Sequence, residues 1–164
     1  MEDKRYSRST QASQAEKELN FFNCTVDDNR FHIIYTNADC FTNKKNDLIM
    51  LLDSLKCKPS VIVITEVNSK CSYNNCLENE FNIPGYNLFS VNVSMAKNRG
   101  IIVYVDSHLG SNQIDIVEHF SENIFIKVSV AGVNLLTIGS FYRSPGSSLD
   151  NDRELFKLLN SLKS

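Results

Sequence analysis

Ser60-Val-Ile-Val-Ile-Thr65, followed at once by Glu66, is the stretch that decides the fold of this 164-residue chain. Its β-branched run is too continuous for a strand with one face in water. It therefore predicts a strand in the middle of a sheet that is covered on both faces. Pro59 separates this strand from the element before it, because proline cannot continue a helix and disfavours the helical state in the residue that precedes it.

A first strand and a helix precede this run. Phe31–Thr36 predicts the strand, and Thr42 or Asn43 can cap a helix that Pro59 ends. The apolar positions of that helix recur at helical spacing and are Leu48, Leu51, Leu52 and Leu55. Strand, helix and strand in this order imply a parallel pair of strands joined by a right-handed crossover.

The rest of the chain predicts more strands and one more helix. After a polar stretch at 68–82, Pro84-Gly85 makes a turn. The strand candidates that follow are Tyr86–Val91, Gly100–Val105, Gln113–Glu118, Ile124–Val130 and Asn134–Tyr142. A last helix begins near Asn151, and Glu154 three residues later completes a capping-box pattern. The apolar stripe of this helix consists of Leu155, Leu158, Leu159 and Leu162. We therefore expect an α/β domain with a mixed sheet and flanking helices.

The domain is expected to cover residues 30–164. Residues 1–29 are polar and lack a sustained apolar period, which predicts a leader that is disordered or weakly helical over Gln11–Phe22. The chain ends directly after the last predicted helix, before a strand returns. We therefore expect a partial domain, truncated at its C-terminal side.

The composition is that of an ordinary globular protein. Hydrophobic residues make up 42% of the chain and charged residues 22%, which is enough for a packed core. A net charge of -2 excludes a strongly basic nucleic-acid binder but not a DNA-processing enzyme, which needs only a positive groove.

No apolar run reaches the roughly 20 residues of a membrane span, and no signal peptide opens the chain. We expect an intracellular protein, the nucleus included. Five cysteines without a ligand frame favour reduced thiols over zinc.

Polar side chains follow three of the predicted strands, at the point where each strand ends. Glu66 comes directly after the buried strand, where open α/β sheets bind ligands and where a carboxylate suits Mg²⁺. Asn37 and Asp39 follow the first strand, so Asn37 and Glu66 are expected at the same edge of the sheet. Tyr142 and Arg143 follow the last strand and can bind phosphate oxygens. Each set also has a plain structural reading, as a solvated loop glutamate, as turn residues, and as a tyrosine packed on a turn.

These strand ends carry a resemblance to a known superfamily. The quoted pieces, in order along Phe31–Ser164, are Tyr35-Thr-Asn37-Ala, Lys45-Asn-Asp-Leu48, Pro59-Ser-Val-Ile-Val-Ile-Thr65-Glu66, Ile83-Pro-Gly85-Tyr86-Asn-Leu-Phe89, Arg99-Gly100-Ile-Ile-Val-Tyr104-Val105 and Ile138-Gly-Ser-Phe-Tyr142-Arg143-Ser-Pro145. The chain resembles the endonuclease/exonuclease/phosphatase superfamily. Within it, the chain is similar to the endonucleases that precede reverse transcriptase in non-LTR retrotransposons.

The resemblance implies a Mg²⁺-dependent phosphodiesterase that nicks DNA. Its fold would be a deoxyribonuclease-I-like four-layer α/β sandwich, of which this chain would be the N-terminal half. Asn37 and Tyr142 match the family's active-site asparagine and tyrosine, and Glu66 matches its metal-binding glutamate. Asp39 and Arg143 are expected to contact phosphate or DNA. DNA, the missing half of the domain and a reverse transcriptase are the implied partners.

The chain also departs from the family pattern. The later Gly-Asp-x-Asn and Ser-Asp-His segments do not occur in it, and Asp106-Ser-His108 has the wrong order and lies too early. Arg99-Gly100 stands where relatives often carry two glycines. Without the family's general base, hydrolysis by this chain alone is not expected.

Two alternatives stay open, a non-catalytic binding module or relic fragment and a phosphatase branch of the same superfamily. The binding-module reading expects the inner face of the sheet to be apolar and exposed, because the second sheet would come from the missing half.

Overall fold

The computed structural model describes residues 20–26, 29–68, 78–93, 98–116, 119–130 and 133–162. The strands are β1 (Asn20–Val26), β2 (Asn29–Asn37), β3 (Val61–Thr65), β4 (Tyr86–Val91), β5 (Ile101–Asp106), β6 (Gly110–Ile114), β7 (Asn123–Val130) and β8 (Val133–Phe141). The helices are α1 (Lys45–Ser54) and α2 (Leu149–Ser161), with 3-10 turns at Phe41–Asn43 and Glu78–Phe81.

The first sheet has five strands in the order β1-β2-β3-β5-β4. β3 lies at its centre, parallel to β2 and antiparallel to β5, and all five residues of β3 are buried. The continuous β-branched run of Val61–Thr65 therefore lies where it is predicted, because a strand covered on both faces has no position for a solvated side chain.

The helix α1 covers one face of this sheet. Its Leu48 and Leu52 are buried against a cluster that includes Ile34 and Ile62. The predicted cap at Thr42 or Asn43 is wrong, because both lie in the 3-10 turn before the helix, and the cap position has no side-chain hydrogen bond. That turn instead closes onto the sheet through Phe41, whose backbone N–H donates to the Val67 carbonyl at 2.9 Å.

A second sheet covers the other face of the first sheet. It has the order β6-β7-β8. Ile124, Ile126 and Val128 of β7 are buried against Val61 and Val103 of the first sheet. The expectation of an exposed inner face is therefore wrong, since the chain itself supplies three strands that bury this face.

The helix α2 forms the fourth layer. Its Leu158 is fully buried with Phe125, which projects from the side of β7 opposite to Ile124 and Ile126. The order of layers is thus α1, first sheet, second sheet, α2. The capping box predicted at Asn151 is wrong, because the N-cap is Ser148, whose side chain accepts a hydrogen bond from the Asn151 backbone N–H.

Two more boundaries differ from those expected. β1 pairs antiparallel with β2 inside the segment expected to be a leader, so the leader boundary at residue 29 is too late. Residues 1–19, with most of the expected weak helix, lie outside the described residues. β6 at Gly110–Ile114 begins earlier than the strand expected at Gln113–Glu118. The reason is that the turn after β5 closes at Leu109, whose backbone N–H donates to the Asp106 carbonyl at 2.9 Å. Residues 117–118 lie outside the described residues. Neither of the described helices is long and apolar enough to cross a membrane.

Candidate active site

The parallel pairing of β2 and β3 fixes the core of the candidate site. Asn37 is the register partner of Thr65, so Asn37 and Glu66 leave the sheet at the same edge, as the sequence predicts. The Asn37 side-chain amide donates a hydrogen bond to Glu66 Oε1 at 2.6 Å, although the two residues are 29 positions apart.

The backbone of this edge takes an unusual conformation. Asp39, Cys40 and Glu66 have positive φ angles of 41°, 81° and 55°, which cost free energy for residues other than glycine. The two chain segments are tied together beyond the strand ends. The Ala38 N–H donates to the Thr65 carbonyl at 2.9 Å, and the Cys40 N–H donates to the Glu66 carbonyl at 3.1 Å. These bonds hold Glu66 in a conformation that it would not adopt in an isolated loop.

Tyr142 reaches the same carboxylate from the second sheet. It follows β8 directly, and its hydroxyl donates to Glu66 Oε1 at 2.9 Å. Its backbone N–H donates to the carbonyl of Glu122 at 3.0 Å, which continues the pairing of β7 and β8 beyond their ends. The site therefore joins both sheets, and Glu66 is the group that they share.

Arg99 is a member of the site that sequence reasoning missed. Its Nη2 contacts Asp39 Oδ1 at 2.5 Å and also donates to Glu66 Oε2. The side chain of Arg99 is only 10% exposed, that of Glu66 is 14% exposed, and that of Asp39 is 64% exposed. Nε and Nη1 of Arg99 are buried and have no hydrogen-bond partner among the described residues. In the sequence, the only sign of Arg99 is its position where relatives often carry glycine.

Glu122 fixes the backbone next to Arg99. This buried carboxylate accepts hydrogen bonds from the Arg99 N–H at 2.8 Å and the Gly100 N–H at 3.1 Å. Gly100 has φ +72°, and a Cβ there would come within 3.2 Å of the Val93 Cα, so only glycine fits without strain. The start of β5 is thereby held, and Arg99 with it. Nothing in the sequence marks Glu122, which precedes an ordinary strand.

Opposing effects act on the ionisation of the site. Burial alone would raise the pKa of the Glu66 carboxyl, but the hydrogen bonds from Asn37 and Tyr142 and the positive charge of Arg99 outweigh it, so the pKa is lowered. Burial, and then the hydrogen bond to the Glu66 carboxylate, raises the pKa of Tyr142 to about 12. At neutral pH the site therefore contains an ionised glutamate and a protonated tyrosine.

Two polar groups considered from the sequence lie outside this cluster. Arg143 donates to both carboxylate oxygens of Asp152 on α2, at 2.7 and 2.8 Å, so its planar fork is engaged away from Glu66. Asp106 and His108 contact each other at the far end of β5. This end is opposite to the site, because the Asp106 N–H donates to the carbonyl of Ser60, which precedes β3, whereas Glu66 follows β3. The site thus contains Asn37, Asp39, Glu66 and Tyr142 of the predicted set, without Arg143.

The donor set does not fit Mg²⁺ as it stands. Magnesium prefers an octahedron of oxygen atoms. Here Glu66 Oε1 accepts two hydrogen bonds, and its Oε2 and Asp39 Oδ1 both contact a nitrogen of Arg99. No group of three His, Cys, Asp or Glu side chains with the geometry of a metal site occurs in the part of the chain that the structure describes. A divalent cation could take the position between these two carboxylates only if Arg99 moved.

A solved structure has a similar fold. It is the endonuclease domain of TRAS1, a telomere-specific non-LTR retrotransposon, and it matches this chain with a TM-score of 0.52 and 11% sequence identity. The match covers 78% of this chain and 53% of that one, so this chain spans about half the length of the endonuclease domain. No family model matches the sequence, and no curated protein does. At this identity the likeness shows the fold alone, and it confirms the α/β fold with a mixed sheet and flanking helices predicted from the sequence.

Proposed function

We propose that the chain carries the first half of a phosphodiesterase site of the DNA-nicking type and does not hydrolyse DNA unaided. The observation that carries the proposal is the convergence of Asn37 and Tyr142 on Glu66, from two strand ends of one sheet and one strand end of the other. The likeness of the fold to a retrotransposon endonuclease domain supports the same assignment.

The chemistry of the cluster suits a phosphodiester group. The Asn37 amide and the Tyr142 hydroxyl are both hydrogen-bond donors, and donors are what non-bridging phosphate oxygens require. The raised pKa of Tyr142 keeps its hydroxyl protonated across the physiological range, so it stays a donor. Both groups donate to Glu66 at present, and a bound phosphate would compete with that carboxylate for them.

Unaided hydrolysis would need a group that activates water. Neither clustered carboxylate fits this task, because the pKa of Glu66 is lowered and its oxygens already accept hydrogen bonds, and Asp39 is paired with Arg99. The Asp106–His108 pair lies at the opposite end of the sheet, and the His108 side chain is 91% exposed. We therefore expect hydrolysis only in a protein that adds the Gly-Asp-x-Asn and Ser-Asp-His segments to this half.

A nicking assay on supercoiled plasmid tests the proposal. We would compare residues 1–164 with a longer protein that carries those two segments, each with Mg²⁺ and each also as Arg99→Gly. We expect no nicking by residues 1–164 and nicking by at least one longer form, which Glu66→Gln abolishes and Arg153→Gln on the surface of α2 does not. Nicking by residues 1–164 that depends on Glu66 would overturn the claim of inactivity. Nicking by neither longer form would overturn the nuclease assignment.

A second candidate is a non-catalytic module that binds a protein partner. The observation that favours it is the exposure of four large apolar side chains along α2 and at its C-cap. They are Leu149 at 76%, Phe156 at 66%, Leu162 at 49% and Leu159 at 39% exposure. Leu149 and Phe156 are seven residues apart and so share one face of α2, and exposed apolar patches mark interaction surfaces. Size-exclusion chromatography of the wild type and Phe156→Ser separates the readings, because association that the variant abolishes supports a binding surface, and a monomer in both cases counts against it.

A further inference from the structure

Two carboxylates of the site converge on one nitrogen atom. Glu66 follows β3 and Asp39 follows β2, and one oxygen of each contacts Nη2 of Arg99. Asp39 and Arg99 are 60 positions apart in the chain, and Glu66 and Arg99 are 33 apart. Such a convergence of oxygens from separate segments is how a protein holds a single cation.

The guanidinium acts here as a point charge. Arginine usually binds a carboxylate through two nitrogens, in a planar fork. Arg99 instead contacts both carboxylates through Nη2, and its Nε and Nη1 have no partner among the described residues. Neither carboxylate therefore binds two nitrogens of the guanidinium, and both are paired with the positive charge at Nη2.

The position of Arg99 is enforced by the fold. Its side chain is 10% exposed, and its backbone N–H donates to the buried Glu122. Gly100, at φ +72°, admits no other residue at the next position without strain.

The carboxylates of Glu66 and Asp39 with the guanidinium sum to one negative charge, whereas the same carboxylates without Arg99 would carry two. Removal of Arg99 should therefore leave an acidic site that attracts a divalent cation.

We propose that Arg99 is a built-in cation that takes the place of a divalent metal between Glu66 and Asp39, and so excludes Mg²⁺ from Glu66. This inference rests on the proposed function in one respect, because both concern the same site. Its test measures cation binding in place of hydrolysis, so either proposal can fail while the other stands.

Paramagnetic Mn²⁺ is the probe for this site, because it binds where Mg²⁺ binds and broadens the NMR signals of nearby nuclei. In the wild-type chain we expect no selective broadening of the Asn37 side-chain amide or the Gly100 amide at substoichiometric Mn²⁺. Selective broadening of these two signals in the wild type would overturn the proposal, and this measurement needs no variant to fold.

The variant Arg99→Ala should then gain what the wild type lacks. We expect selective broadening of the same two signals, and an affinity for Mn²⁺ at least about tenfold higher than in the wild type. Arg99→Ala/Glu66→Gln should lose the gain. Arg153→Ala is the matched control, because it frees the carboxylate of Asp150 on the surface of α2 but creates no second ligand. A folded Arg99→Ala protein, judged by its dispersed amide spectrum, that binds Mn²⁺ no better than Arg153→Ala would contradict the inference.

Discussion

Glu66 is the residue on which the site depends. Its carboxylate accepts hydrogen bonds from Asn37 and Tyr142 and pairs with Arg99, while its own backbone has a positive φ. A charge this enclosed persists only because its partners outweigh the cost of burial. The same partners tie β2, β3 and the end of β8 together, so the site also contributes to the stability of the fold.

The lowered pKa of Glu66 makes part of that stability dependent on pH. A carboxyl whose pKa is lower in the folded than in the unfolded chain stabilises the fold above its ordinary pKa of 4.5, and this contribution is lost as pH falls through the folded pKa. Glu66→Gln removes the charge and leaves Arg99 with Asp39 alone. We expect this variant to lower the free energy of unfolding by about 1–3 kcal/mol at neutral pH. The difference in this free energy between the wild type and the variant should become smaller below pH 4.5.

Urea unfolding of both proteins at neutral pH and at several acidic pH values measures this gap. Glu154→Gln is the control, because Glu154 also has a lowered pKa but lies in a surface pair with Lys157, where water screens the interaction. Its gap should be smaller at every pH. A Glu66→Gln gap that stays constant into acid would show that the carboxylate's charge does not stabilise the fold.

At the scale of elements, the sequence predicts type and order better than boundaries. β3 is found as predicted, because its β-branched run suits only a strand buried on both faces. The site residues at strand ends follow from the parallel pairing of β2 and β3. Arg99 could not be found in this way, because its ion pairs join segments far apart in the chain, and their approach depends on the antiparallel pairing of β3 with β5, which no local pattern in the sequence indicates. β1 escaped prediction because no apolar period marks it.

The start of α2 shows how a local pattern can mislead. Asn151 and Glu154 have capping-box spacing, but the helix begins two residues earlier and Ser148 caps it. Ser148 Oγ accepts from the Asn151 backbone N–H at 3.2 Å, and Asp150 and Asp152 in the first turn suit the helix dipole. A pattern of side-chain types at the right spacing recurs in any polar segment, so it does not fix where a helix begins.

Ser148→Ala tests the observed cap. We expect a loss of about 1 kcal/mol in the free energy of unfolding, because the Asn151 N–H loses its acceptor. Ser147→Ala is the matched control, since Ser147 Oγ accepts from the Asn151 side chain and not from the helix backbone. Urea unfolding of the two variants measures the difference. An equal loss in both, or a larger loss in Ser147→Ala, would argue against the cap at Ser148.

At the scale of the whole molecule, the described residues form a small four-layer sandwich. An apolar core lies between the two sheets, and each sheet has a helix on its outer face. This is why a chain that spans about half the length of the TRAS1 endonuclease domain still buries its central strand entirely. It also brings Tyr142 of the second sheet to the edge of the first, so the site exists only while both sheets pack.

The shared core predicts that the two sheets unfold as one unit. Ile126 of β7 is fully buried between them, and Leu135 on β8 is 58% exposed. Ile126→Ala should cost about 2–5 kcal/mol, from lost burial and the cavity that remains, whereas Leu135→Ala should change stability by less than about 0.5 kcal/mol. Urea unfolding followed by circular dichroism gives both values.

Hydrogen exchange shows whether the unfolding is shared. If the sheets form one cooperative unit, Ile126→Ala lowers the protection of amides in β3 as much as in β7, although only β7 carries the substitution. Protection lost in β7 and kept in β3 would mean that the second sheet can leave the first. Tyr142 would then leave Glu66 with it, and the assembled site would be a property of a larger protein in which more of the second sheet is present.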